Sequence, residues 1–388
     1  MGAGIDGVIP VVAELGLARA SSNGGNRASA EAEAAPGVWL QDTAEARASL
    51  RDYAYEASAA TLAFSLDVIE AAYGRPPAYS YFNGCSNGGR NAYIAAERLG
   101  AKFDGIAAGC EGMSLGGQVA RWLAVSNTAG TEAGLSAEQY HAAYLAAVEA
   151  CDPLDGSQDG VVSDPAACHF RPASLGCGVS DAATCLTPPQ VATLDMLYSD
   201  MTGSDGEVIY SAYPPADFGK WIDLQAALGG GYAWIATDAP DWALSAERRR
   251  AFEPGRDHYR IETGLLRAGF GHDRIAVADW VAAGGKLISW HAVGDGLVSA
   301  NDHVRNFRNM LATAADLRAA RGNPAPVSDS AAFFAIPGGD HGPMFGPSEP
   351  ELVSALIRWV ETGAAPDGLE AIVAGVPRIV RPYGPAMP

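Results

Sequence analysis

The segment Gly84-Cys85-Ser86-Asn87-Gly88 places a serine hydroxyl where it could act as a nucleophile. The aromatic run that ends at Asn83 predicts a strand, and residues 88–99 predict a helix. A serine in the pattern G-x-S-x-G between a strand and a helix is typical of a strained turn that projects its hydroxyl above a sheet. The backbone N–H of Asn87 would then face a developing oxyanion at the start of the helix. A glycine-rich turn without chemistry is the alternative.

A serine hydroxyl is a poor nucleophile without an adjacent base, so a histidine and an acid should follow it in the chain. Among seven histidines, His341 is favoured because it lies on a glycine-rich loop directly after the strand-like run AAFFAI. In LISWHAVGDGLVS, Asp295 lies on a loop that follows another predicted strand and is the candidate acid. Asp302 is a rival, but it suits a helix N-cap. Asp340 lies too near His341 to orient it easily. We therefore predict that Ser86, Asp295 and His341 converge.

Strand and helix patterns alternate at both ends of the chain and are interrupted between them. Helices are predicted over 44–73, 88–99, about 302–311 and 350–362, and strands over 78–83, 103–108, 287–290 and 333–336. Residues 111–280, rich in Gly, Pro, Trp and Tyr, have an irregular pattern. We predict an α/β fold in which residues 1–110 and 281–388 form one core and residues 111–280 form an insertion.

Charge and cysteine content limit the partners and the compartment. A formal net charge of −19 argues against a nucleic-acid partner and an anionic membrane surface. No apolar run approaches the roughly 18 residues that a membrane-spanning helix needs. Four of the six cysteines lie between residues 151 and 185, which is typical of a disulfide framework. Because disulfides form in oxidising compartments, we expect a secreted or periplasmic protein whose leader is absent from this chain. The oligomeric state is left open.

An acidic loop in the insertion is a second place where the residue types suggest a function. Asp152, Asp155 and Asp159 lie within eight residues, and Gly156 and Gly160 allow sharp turns between them. Carboxylates crowded in this way repel one another unless a hard cation neutralises them, and Ca²⁺ prefers such oxygen ligands. The spacing differs from that of an EF-hand. A solvated acidic loop is the alternative.

Four motifs together resemble the tannase and feruloyl esterase family: YSYFNGCSNGGR, GKLISWHAVGDGLVS, PGGDHG and ALIRWVETGAAPD. The resemblance extends from about residue 40 to residue 370. It implies an α/β-hydrolase core with a lid inserted between the serine and the acid, and hydrolysis of small-molecule aromatic esters. It also implies Ser86 as nucleophile, Asp295 as acid and His341 as base, in agreement with the choice made from the residues alone. The alternatives are a hydrolase of aliphatic polyester or hydroxyalkanoate oligomers and an inactive, calcium-stabilised binding protein.

The resemblance carries two further implications. It favours calcium over a solvated acidic loop, because the family's lid has a similar loop in which the ion is structural. By the same likeness, the backbone carbonyls of Ser157 and Val161 would complete the calcium shell. The N-terminal GAGIDG resembles the family's glycine-rich loop that supplies a second oxyanion donor, at Ala3 or Gly4.

The cysteines allow more than one pattern of disulfides. Two pairings in the insertion are hypotheses, since four cysteines permit three connectivities: Cys151 with Cys168, and Cys177 with Cys185. In many members of the family a cysteine follows the catalytic histidine and bridges the cysteine before the serine, but here Gly342 follows His341. Cys85 could instead pair with Cys110 at the end of the next strand, because neighbouring strands lie about 5 Å apart. Two buried thiols are the alternative.

Overall fold

A computed structural model describes residues 15–22, 24, 44–179, 185–237 and 251–383. Its main sheet has four parallel strands in the order β1-β2-β5-β6. These strands are β1 (Tyr81–Cys85), β2 (Gly105–Gly109), β5 (Lys286–Ala292) and β6 (Ala331–Ile336). Parallel strands separated by helices confirm the predicted α/β class. All four strands end at the same edge of the sheet, so the loops that follow them meet there.

Consecutive strand residues point to opposite sides of the sheet, so the apolar strands contribute side chains to both faces. Helices cover each face and bury these side chains. On one face, Ile106, Leu287 and Phe333 pack in a core with Tyr93 and Phe307. On the other face, a second core contains the next residue of each strand and a C-terminal helix: Ala107, Ile288, Phe334, Leu356 and Trp359. Outside residues 111–280, the described part of the chain contains the α-helices α1 (Ala44–Arg51), α2 (Ala57–Tyr73), α3 (Asn87–Leu99), α10 (Ala300–Ala320) and α11 (Glu349–Thr362). A π-helical segment, Asp52–Glu56, connects α1 to α2, and a hairpin of β7 (Leu369–Val373) and β8 (Val376–Val380) follows α11.

The described residues of the insertion, 111–179, 185–237 and 251–280, are largely helical, so the sequence-based expectation of irregular structure there was wrong. The α-helices within these described residues are α4 (Leu115–Ser126), α5 (Ala137–Cys151), α6 (Pro188–Tyr198), α7 (Ile222–Thr237), α8 (Pro254–Arg267) and α9 (Arg274–Ala282). A short antiparallel pair, β3 (Met201–Thr202) and β4 (Val208–Tyr210), joins them. Glycines hide the helical pattern because they serve close packing. A methyl group at Gly264 of α8 would overlap the backbone carbonyl of Ala236 in α7. The division into core and lid domains stays a prediction.

Three disulfides link the cysteines in the pairs that the sequence suggested. They are Cys85–Cys110, Cys151–Cys168 and Cys177–Cys185. The first joins the ends of the adjacent strands β1 and β2, with its Cα atoms 5.4 Å apart. Cys85 therefore has a disulfide partner, although a glycine, Gly342, follows His341.

No helix within the described ranges is long and apolar enough to cross a bilayer.

Candidate active site

Ser86 lies on a sharp turn between β1 and α3. Its backbone has φ 60° and ψ −123°, a conformation that is rare for residues other than glycine. Gly84 permits this turn because a methyl group there would overlap the backbone carbonyl of Gly88. Gly89 has the same function one turn later, since a side chain there would overlap the carbonyl of Gly109 in β2. The turn therefore brings the strand and the helix so close that positions 84 and 89 have room only for glycine.

The structure brings together the three side chains that the sequence singled out. The Ser86 hydroxyl oxygen lies 2.7 Å from Nε2 of His341, and Nδ1 of His341 lies 2.7 Å from Oδ2 of Asp295. Asp295 lies on the loop after β5 and His341 on the loop after β6. Both loops lie at the same edge of the sheet as Ser86, which directly follows β1. This arrangement has the connectivity of a nucleophile, a base and an orienting acid.

The Asp295 carboxylate is completely buried and accepts four hydrogen bonds. Oδ1 accepts the backbone N–H groups of Leu297 and Val298, each at 2.8 Å. Oδ2 accepts His341 Nδ1 and also His291 Nε2, the latter at 3.0 Å. Burial by itself would raise the pKa of Asp295, but the two imidazole rings beside it hold that pKa below its ordinary value. The carboxylate is thus ionised and fixed in orientation.

The rival acids have other partners. Asp302 lies in the first turn of α10 and bonds to the guanidinium of Arg305 and the backbone N–H of Ser211. It is not the N-cap that its position suggested, because Ser299 caps α10 and accepts the N–H of Asp302. Asp340 accepts the indole N–H of Trp221 at 2.6 Å and the backbone N–H of His341 at 2.8 Å. Of these three carboxylates, Asp295 is therefore the one that contacts the His341 ring.

His341 is enclosed but adjacent to a residue of the insertion. Its ring meets the ring of Trp221 edge-on, with 5.6 Å between centroids. Burial by itself would lower the pKa of His341, but the neighbouring carboxylate of Asp295 outweighs that effect and raises the pKa above its ordinary value. The ring is therefore a stronger base than a free histidine and is well placed to accept the Ser86 proton.

One of the two expected oxyanion donors lies in the described part of the chain. Asn87 is the first residue of α3, and the first four N–H groups of a helix have no acceptor within it. Its N–H is thus available beside the Ser86 hydroxyl at the positive end of the helix. The second expected donor, Gly4, and the GAGIDG segment lie outside the described residues.

Arg90 fixes Asn87, and sequence reasoning gave it no role. Its guanidinium is buried and donates to Oδ1 of Asn87 from Nε at 2.9 Å and from Nη2 at 2.7 Å. The remaining donors bond to backbone carbonyls of Tyr53, Ala54 and Phe270. The signal was present in the GGR ending of the serine motif, where an arginine stands on the buried face of the helix. Arg90 connects the residue after Ser86 to two distant segments.

In the acidic loop of the insertion, the carboxylates accept hydrogen bonds from backbone N–H groups of the loop itself. Asp152 accepts the N–H groups of Asp159 at 3.2 Å and Gly160 at 3.0 Å, and Asp155 accepts those of Ser157 at 2.8 Å and Ser163 at 3.0 Å. Asp159 accepts the N–H of Val161 at 3.2 Å and pairs with Arg378 of β8 at 2.8 Å. Among the described residues, no three acidic, histidine or cysteine side chains are grouped as metal ligands. The oxygen donors suit calcium, but their arrangement does not form a coordination shell, so the calcium site stays a prediction.

Comparison with known proteins identifies the family of this chain. The family model described as tannase and feruloyl esterase matches residues 4–246 and 272–380. This chain belongs to the tannase and feruloyl esterase family. The family comprises carboxylic ester hydrolases, and its match spans the residues that carry the serine, the acid and the histidine.

Relatives within the family differ considerably in sequence. An uncharacterized esterase of Xanthomonas campestris is 29% identical, over 92% of this chain and 68% of its own length. A probable feruloyl esterase B-2 of Aspergillus flavus is 27% identical, over 82% of this chain and 64% of its own. This chain therefore spans about two thirds of the length of these curated relatives.

Solved structures share the fold. Feruloyl esterase B from Aspergillus oryzae has a TM-score of 0.68 at 23% identity and covers 89% of this chain, which in turn covers 72% of that protein. Tannin acyl hydrolase from Aspergillus niger has a TM-score of 0.66 at 19% identity, with coverage of 86% and 67%. At these identities the likeness establishes the fold and leaves the substrate to be inferred.

Proposed function

We propose that this protein is a secreted serine esterase that hydrolyses small-molecule esters of aromatic acids of the hydroxycinnamic, gallic or terephthalic type. The observation that carries the proposal is the unbroken contact from the Ser86 hydroxyl through His341 to Asp295, with 2.7 Å at each step. Family membership supports ester hydrolysis, and relatives named feruloyl esterase support an aromatic acyl group. Three disulfides support an oxidising compartment.

The proposed reaction proceeds in two halves. Ser86 attacks the ester carbonyl while His341 takes its proton, and the Asn87 N–H stabilises the tetrahedral oxyanion. His341 then gives the proton to the leaving alkoxide, which departs as the alcohol and leaves an acyl group on Ser86. Water, deprotonated by His341, attacks this acyl-enzyme. His341 then returns the proton to the Ser86 oxygen as the bond to the acyl group breaks, which releases the acid and restores the serine hydroxyl. Asp295 holds the tautomer of His341 that can accept the proton and stabilises the imidazolium.

The test is a panel of esters assayed with the wild type and with Ser86→Ala. We expect the wild type to prefer methyl ferulate, methyl gallate or a terephthalate half-ester over a hydroxybutyrate dimer, and Ser86→Ala to lower kcat/KM by about 10⁵-fold. Ser65→Ala is the matched control, because the Ser65 hydroxyl bonds only to the carbonyl of Thr61 in its own helix. A fluorophosphonate should label the wild type and Ser65→Ala at Ser86 and should leave Ser86→Ala unlabelled.

Each alternative gives a different result in this panel. Faster turnover of the hydroxybutyrate dimer than of all three aromatic esters would identify an aliphatic polyester hydrolase. Absence of both turnover and labelling in the folded wild type would identify an inactive binding protein. Full activity of Ser86→Ala would overturn the serine mechanism itself.

A further inference from the structure

A series of buried hydrogen bonds leads away from Asp295, starting at the same carboxylate oxygen that contacts His341. His291 Nε2 contacts Asp295 Oδ2 at 3.0 Å, and His291 Nδ1 contacts His303 Nδ1 at 2.8 Å. His303 Nε2 in turn lies 2.9 Å from the hydroxyl of Tyr93 and 3.1 Å from that of Ser289. All five side chains are completely buried. This series of hydrogen bonds starts at the carboxylate that contacts His341 and ends in the core beside the sheet.

The contacts limit where protons can lie in this series of hydrogen bonds. An ionised carboxylate only accepts hydrogen bonds, so His291 carries a proton on Nε2 and donates it to Asp295. When His291 is neutral, its Nδ1 is an acceptor, and His303 donates to it from Nδ1. In that arrangement His303 Nε2 accepts the Tyr93 or Ser289 hydroxyl. A neutral His303 agrees with its complete burial, which lowers its pKa well below the ordinary value.

We propose that His291 is a positioning residue of the hydrolytic site, which fixes the Asp295 carboxylate and limits its pull on the proton of His341. This inference rests on the proposed catalytic role of Ser86, His341 and Asp295. His291 lies on β5, four residues before Asp295, and Asp295 follows on the loop after that strand. The strand therefore supplies the second partner of the acid, and the loop that follows the strand supplies the acid itself.

The effect follows from the sharing of one oxygen. Oδ2 of Asp295 receives N–H groups from His291 and His341 at 3.0 and 2.7 Å. A hydrogen bond to a carboxylate stabilises its charge, so the donor on His291 weakens the attraction that the carboxylate exerts on protonated His341. Without that donor, the Asp295 carboxylate should be less fixed in orientation and should attract the proton of His341 more strongly. His341 should then hold its proton to a higher pH and should be less well oriented when neutral.

Other charged and titratable groups face the site and remain unchanged in the test. Asp340 adjoins His341 in the chain and pairs with Lys220 of the insertion, with 3.6 Å between charged atoms. The Tyr213 hydroxyl, also from the insertion, donates to the carbonyl of Leu297 at 2.9 Å beside Asp295. His303 adjoins His291 on the inner side. None of these groups donates to Asp295 Oδ2 in place of His291.

The test compares His291→Phe, which removes the donor, with His291→Gln, which can keep an N–H near the position of Nε2. We expect His291→Phe to lower kcat by about 10- to 100-fold. We also expect it to move the acid limb of the kcat/KM profile upwards by about one pH unit. His291→Gln should restore much of both. His258→Gln is the control, because His258 is buried in α8 and its Nδ1 contacts only the carbonyl of Pro254.

The position of the acid limb does not depend on the fraction of folded enzyme, so it separates positioning from loss of fold. Equal losses in the Phe and Gln variants with an unmoved acid limb would overturn the role of His291. That result is distinct from failure of the proposed function, which would appear as full activity of Ser86→Ala. Fluorophosphonate titration of each variant counts the competent sites to which kcat is referred.

Discussion

Ser86 holds a strained backbone through contacts of its own main chain. Its N–H donates to the carbonyl of Gly109 at 3.0 Å, and its carbonyl accepts the N–H of Arg90 at 3.0 Å. A non-glycine residue in such a conformation costs of order 1–3 kcal/mol. The two hydrogen bonds offset part of this cost where it arises. The hydroxyl is therefore presented in one orientation, towards His341.

The pH dependence of the reaction should follow His341. His341 accepts a proton only when neutral, and its pKa is raised, so kcat/KM should fall with decreasing pH through a midpoint above about 6.5. Asp295→Asn removes the charge that raises this pKa and should lower the midpoint. It should also lower kcat by about 10⁴-fold, because it stabilises the wrong tautomer. The measurement is a pH profile of kcat/KM with methyl ferulate. A wild-type midpoint at or below 6.5 would contradict the described electrostatics.

At the scale of elements, the ends of β1 and β2 are joined beside the nucleophile. The Cys85–Cys110 disulfide connects these strands, and the Ser86 N–H lies 3.1 Å from the sulfur of Cys110. Cys110 itself has φ 43°, so both residues at this corner have unusual backbone conformations. The disulfide thus supports the turn from the β2 side, whereas the His341 loop has no covalent connection to it, since Gly342 follows the histidine.

Removing this disulfide should affect stability and activity together. The bond closes a loop of 25 residues, for which chain entropy predicts a loss of about 3 kcal/mol in the free energy of unfolding. We expect Cys85→Ala with Cys110→Ala to show this loss in urea unfolding and also a lower kcat. Cys177→Ala with Cys185→Ala is the control, because that disulfide lies in the insertion and should affect stability alone. Wild-type kcat in the Cys85 and Cys110 double variant would show that the turn does not need the bond.

The sequence predicted the proximity of three side chains better than the elements around them, for a physical reason. Ser86, Asp295 and His341 each follow a strand of one parallel sheet. When strands and helices alternate along a chain, the strands are parallel and the loops that follow them meet at one edge of the sheet. The helices of the insertion were missed because residues such as Gly264 serve contacts between helices that a single helix does not reveal. His291 was missed because its role depends on a proton arrangement that involves α10, 12 residues further along the chain.

At the scale of the whole molecule, the acidic loop connects the insertion to the C-terminal hairpin. Asp159 of the loop pairs with Arg378 of β8 across 219 positions of sequence. The protein carries a net charge of −19, so a bound divalent cation would relieve repulsion within the loop. An ion there would influence how firmly the insertion is held.

Chelation tests the calcium prediction directly. If calcium binds this loop, EDTA should lower the melting temperature of the wild type by about 2–5 °C, and added calcium should restore it. Asp152→Asn should lower the melting temperature and abolish the response to calcium. Asp164→Asn is the control, because Asp164 lies outside the predicted shell and accepts only the N–H groups of Ala166 and Ala167. Identical melting curves in EDTA and in calcium would reject the ion.

Trp221 connects the insertion to His341, the proposed base. The indole N–H donates to Asp340, and the same ring supports one side of His341. Replacing Trp221 would remove both contacts at once. The loop that carries His341 would then lose its connection to this part of the insertion, and Asp295 would be left to orient the imidazole.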